Sequence, residues 1–109
     1  MTYQDFINAV RTAVADIRND VADGGDEYDL IHEYADGHQY VIYTGQAWDL
    51  VNLIRDADSE LFFAAEEQFS DYGGGFRCNN SWDECQRQLA FCIMTTAIRQ
   101  CIDQIEEAA

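Results

Sequence analysis

The most constraining stretch of this sequence is the run 89–98, in which Leu89, Ala90, Phe91, Cys92, Ile93, Met94, Thr95, Thr96, Ala97 and Ile98 carry no charge. It lies inside a longer segment that opens on Ser81, Trp82, Asp83 and Glu84, spaced as a capping box, and continues to about Glu107. A helix without a polar face over three turns is buried on most sides, so the segment predicts a long central helix with the other elements packed against it. The uncharged run falls far short of the roughly 20 residues a bilayer span needs, and Met1, Thr2, Tyr3, Gln4 and Asp5 make a polar start. A cytoplasmic protein is therefore expected, neither membrane-spanning nor secreted.

The chain has 109 residues and no proline, and its glycines cluster at 24–25, 37, 45 and 73–75, which mark the joints of one expected domain, 1–109. Between Thr2 and Ala22, Phe6, Ile7, Val10, Val14, Ile17 and Val21 recur at three- and four-residue steps behind a Thr2/Asp5 capping box. This predicts an amphipathic first helix that stops at Gly24 and Gly25. Asp36-Gly37 stands between two runs rich in aromatic and β-branched residues, 28–34 and 39–43, and predicts a β-hairpin with His32 opposite Val41 and Leu30 opposite Tyr43. Thr44 is placed to cap a short helix carrying Ala47, Leu50, Val51 and Ile54, and Ser59 to cap another carrying Leu61, Phe62, Ala65 and Phe69. The expected fold is therefore α+β: an N-terminal helix, a hairpin, two short helices and the central helix.

Charge narrows the function. Twenty-one acids stand against six bases, all of them Arg, for a net charge of −15, while 48% of the residues are hydrophobic and suffice for a core. Such a chain repels nucleic-acid phosphates and anionic membranes and attracts the basic surfaces that bind them. Direct binding of nucleic acid or membrane is not expected. Arg87 follows Asp83 and Glu84, and Arg99 precedes Asp103, at pairing distance along the last helix. Arg11 and Arg18 lack such neighbours, which leaves them for carboxylates of another element in preference to another subunit.

The chemistry-bearing residues converge poorly. Cys78, Cys85, Cys92 and Cys101 are seven, seven and nine apart, whereas zinc sites use pairs two to four apart, so free thiols in a reducing compartment are expected. His32 and His38 with a Cys and an acid form a nucleophilic triad only on paper, and Gly73, Gly74 and Gly75 lack the Lys-Ser/Thr of a phosphate loop. Neither catalysis nor a metal or other cofactor is expected. Around Gly24 and Gly25 the acids do not follow the calcium-loop spacing. They fall instead into two edges: Asp20, Asp23, Asp26, Glu27 and Asp29, joined by Glu33 and Asp36 on the hairpin; and Asp56, Asp58, Glu60, Glu66, Glu67 and Asp71 on the short helices. These thirteen carboxylates are the candidate partner-binding residues, set against the plain alternative of solvated faces.

The run Ile31-His32-Glu33-Tyr34-Ala35-Asp36-Gly37-His38-Gln39-Tyr40-Val41-Ile42-Tyr43-Thr44, in a small acidic chain, resembles small proteins of phages and mobile elements, among them anti-CRISPR proteins that act as DNA mimics. The resemblance implies a non-catalytic inhibitor that occupies a basic nucleic-acid-binding surface of a CRISPR effector or nuclease. It assigns no residue roles. The alternative is an interaction or assembly module that uses an aromatic hairpin surface of Tyr28, Tyr34, Tyr40, Tyr43 and Trp48.

Overall fold

The computed structural model describes residues 1–71 and 82–108, and these form six helices and no strand. In chain order they are α1 (Tyr3–Ala22), α2 (Glu27–Asp36), α3 (Gln39–Ile42), α4 (Thr44–Ala57), α5 (Ser59–Asp71) and α6 (Trp82–Ala108). The fold is all-α, not α+β.

α1 begins as its sequence dictates. The Asp5 N–H donates to Thr2 Oγ1 at 3.1 Å and the Thr2 N–H to Asp5 Oδ2 at 2.9 Å, so two otherwise orphaned donors are satisfied reciprocally. The bond from the Thr2 backbone also holds the Asp5 carboxyl below its ordinary pKa. Phe6, Val10, Ala13, Val14 and Ile17 form its buried stripe. The helix ends in a Schellman motif. The Gly25 N–H donates to the Asp20 carbonyl at 2.9 Å and the Gly24 N–H to that of Val21 at 3.0 Å, which requires a left-handed residue between; Gly24 supplies it at φ +103°.

The hairpin expected around Asp36-Gly37 does not form. A two-residue type I′ turn needs positive φ at both central positions, whereas Gly37 lies at φ −89° and closes α2 instead. Asp26 caps α2 by accepting the Asp29 N–H at 3.1 Å, and Ile31 and Ala35, one turn apart, are buried on its inner side with Leu30 and Tyr34 beside them. The strand-forming character of this stretch is worth little, because β-propensity spans only about 1 kcal/mol and depends on context. A cap and a four-residue apolar repeat facing the core outweigh it. The second run of the supposed hairpin becomes α3, whose first turn is closed by His38 Nδ1 accepting the Tyr40 N–H at 3.1 Å.

Two caps shift by one residue. Thr44 lies inside α4, whose N-cap is Tyr43 with no side-chain bond, and α5 is capped by Asp58, which accepts the Leu61 N–H at 3.2 Å where Ser59 was expected to act. The Ser81 capping box and Gly73, Gly74 and Gly75 lie outside the described residues.

α6 is central, as its sequence predicts. It packs against each of the other five helices, and every residue from Cys92 to Ile98 is buried. Two of these are polar and both are satisfied: Thr95 Oγ1 accepts from Gln68 Nε2 at 3.0 Å, and Thr96 Oγ1 donates to Gln68 Oε1 at 2.7 Å. One α5 amide thus serves both hydroxyls. The buried apolar side chains form one cluster fed by all six helices. Among the described residues no helix is long and apolar enough to cross a membrane.

Candidate acidic interface

Helix formation in α2 rearranges the first acidic edge. Asp26, Asp29, Glu33 and Asp36 are spaced three, four and three, the spacing that returns to one side of a helix, and all four are exposed. On the expected hairpin only Asp29 and Glu33 would have lain on a strand, with Asp26 before it and Asp36 in the turn. At 1.5 Å per residue they cover about 15 Å of axis, or one carboxylate in about 5 Å, against about 3.4 Å per phosphate along one DNA strand. Glu27 and Asp23 are exposed beside this face, and among the described residues none of these six acids forms an ion pair. Asp20 differs. It is half-buried and its Oδ2 accepts the Tyr34 hydroxyl at 2.9 Å, a bond that raises the Tyr34 pKa.

The second edge is less uniform. Asp58 is engaged twice, by the Leu61 N–H and by the Tyr3 hydroxyl at 2.9 Å, so it belongs to the junction of α1, α4 and α5. Burial, with help from that hydrogen bond, raises the Tyr3 pKa. Asp56 is exposed and pairs with its neighbour Arg55 at 3.4 Å. Glu60, Glu67 and Asp71 follow one another at seven and four residues on one side of α5, and Glu66 points elsewhere. All four are exposed.

The basic residues were only partly foreseen. Arg87 pairs with Glu84 and holds that carboxyl below its ordinary pKa. Arg99 makes no ion pair with Asp103 and instead shares a surface cavity with Glu67, Asp71 and Thr96. Arg11 and Arg18 pair with no carboxylate among the described residues, against the expectation that another element would supply one.

The aromatic surface expected on a hairpin is dispersed by the helices. Tyr28 and Tyr43 are exposed, but Tyr40 is buried, Tyr34 is tied to Asp20, and Trp48 Nε1 donates to Asp83 Oδ1 at 2.8 Å, fastening α4 to α6. His32 lies on α2 between the rings of Tyr28 and Phe91, at centroid distances of 4.2 and 5.7 Å, with Nδ1 2.8 Å from the Tyr28 carbonyl. His38 is half-buried at the start of α3, and desolvation lowers its pKa. Cys92 and Cys101 are free thiols; Cys78 lies outside the described residues. Burial pushes the Cys92 thiol up to about 12, which makes it a packing group with little nucleophilic character at neutral pH. Among the described residues no three His, Cys, Asp or Glu side chains are grouped to hold a metal ion.

No family model, curated protein or solved structure matches the chain. The α2 face is partly legible in the sequence: its acids stand out and their three-four-three spacing fits one side of a helix, but the Asp36-Gly37 dipeptide and the β-branched and aromatic residues around it point to a turn between strands.

Proposed function

We propose that the protein acts without catalysis, as an acidic inhibitor whose α2 face occupies a basic nucleic-acid-binding surface of a partner, with a CRISPR effector or nuclease as the target class. The single supporting observation is the alignment of Asp26, Asp29, Glu33 and Asp36 on one exposed helical face, without an ion pair among the described residues and at a linear charge density approaching that of one DNA strand. Carboxylates held on a helix meet a basic groove with less loss of freedom than the same charges on a mobile loop. Asp20 and Asp58 drop out as direct contacts, since each already accepts a tyrosine hydroxyl that holds two elements together. Without a hairpin, the aromatic surface that would have favoured an assembly module has no scaffold.

The test is capture of partners from a host lysate by the tagged protein and by an Asp26→Asn, Asp29→Asn, Glu33→Gln, Asp36→Gln variant. Asn caps helices as well as Asp does, so the variant keeps its α2 start. A basic partner should be retained at low salt by the parent alone, released as salt rises, and displaced by duplex DNA. A complex that persists at high salt, or that binds DNA and this protein together, excludes phosphate mimicry.

A further inference from the structure

In a chain of net charge −15, two guanidinium groups without a carboxylate partner among the described residues are an anomaly, and Arg11 and Arg18 share one groove. The groove, of about 470 Å³, runs between α1 and α6. Ala15 lies between the two arginines, Cys101 and Ile105 of α6 form its apolar wall, and no carboxylate is found among the described residues that line it. The arginines are two helical turns apart, roughly 10 Å. Ala15 is exposed and small, which leaves a hole at the middle of the pair.

The complementary surface is on α5. Phe63 is 66% exposed, its ring edge-on to that of Phe62 at a centroid distance of 6.4 Å, and it is flanked by exposed Glu60 and Glu67, which make no ion pair among the described residues. These two carboxylates are also seven residues apart. The internal offsets then decide direction. Phe63 is three residues from Glu60 and four from Glu67, and Ala15 is three from Arg18 and four from Arg11. Laid antiparallel with Phe63 over Ala15, Glu60 meets Arg18 and Glu67 meets Arg11 together. A parallel arrangement is out by one residue at each end.

We propose that the α1/α6 groove is a self-association site, taking α5 of a second copy antiparallel to α1 with Phe63 in the Ala15 hole between Glu60–Arg18 and Glu67–Arg11 ion pairs. The site is independent of the α2 face and withdraws Glu60 and Glu67 from partner binding. Two chains of charge −15 repel each other at long range. At physiological ionic strength the Debye length is about 8 Å, so carboxylates elsewhere on the two surfaces are largely screened, whereas pairs flanking a covered ring are screened much less. Self-association is accordingly measured at that ionic strength.

Sedimentation equilibrium tests this on the full chain, with circular dichroism to check helicity. The parent should self-associate. Phe63→Ser, Glu60→Arg/Glu67→Arg, and Arg11→Glu/Arg18→Glu should each weaken association by at least about tenfold while remaining helical, since every substituted residue is exposed. An equimolar mixture of the two charge-reversed variants should associate again, because each contact is then either native or reversed on both sides. A parent that stays monomeric overturns the proposal. So do charge-reversed variants that associate like the parent, or a mixture that fails to recover.

Discussion

The Tyr34 hydroxyl donates to Asp20 Oδ2 at 2.9 Å, and this bond ties α2 back onto the last turn of α1. It makes one acid of the highly acidic stretch 20–29 structural. Tyr34→Phe removes the donor and should lower the urea midpoint without changing the slope of the transition. Asp20→Asn keeps an acceptor oxygen and should have the smaller effect. Equal midpoints for Tyr34→Phe and the parent would show that the bond contributes nothing to stability.

Ile93 is fully buried at the middle of α6, where the other helices converge. Ile93→Asp places an unpaired carboxylate there and should cost several kcal/mol, on the order of 3–5, enough to unfold a domain of ordinary stability. Thermal melting by circular dichroism reads it. A variant that melts within a few degrees of the parent would contradict the central placement of α6.

Thr96 Oγ1 donates to Gln68 Oε1 at 2.7 Å at the α5/α6 contact. Thr96→Val preserves shape and leaves that amide oxygen without its donor, a loss of about 1–3 kcal/mol. Because the Gln68 amide also donates to Thr95 Oγ1, Gln68→Leu together with Thr95→Val in the same background should restore part of it, since removing every polar partner is less costly than removing one. A double-mutant cycle in urea measures the coupling.

The Cys92 thiol is held neutral by burial, with its pKa raised to about 12 in the folded chain against about 8.5 for an unperturbed thiol. For an acid whose folded pKa is raised, the stabilisation is complete below the unfolded pKa and is lost as pH rises through the folded one. Stability should therefore be unaffected by this group near neutrality and fall between about pH 8.5 and 12, by up to about 5 kcal/mol. Urea midpoints across that range should decline more steeply in the parent than in Cys92→Ala, whose side chain cannot ionise. Parallel slopes would show that Cys92 is not desolvated.

Much of the molecule is legible along the chain because the relevant physics is local. The Thr2/Asp5 box and the Gly24-Gly25 stop bound α1 through bonds spanning three to five residues, and the uncharged run of α6 announces its own burial. The Arg87–Glu84 pair is legible in the same way, from a three-residue spacing along one helix. What the sequence by itself determined is thus where helices begin and end when the caps are strong, which helix is central, and the net charge of −15. Only the tertiary structure decided the state of residues 28–43. There the residue types favour a strand, the spacing of Ile31 and Ala35 favours a helix, and the difference is small enough for packing against α1 and α6 to settle. The same holds for the charges. Whether Asp20 and Asp58 are free, whether Arg11 and Arg18 find a carboxylate, and which acids line up on one face depend on distances between elements far apart in the chain. No local propensity encodes those distances, because they arise only when the shared core closes.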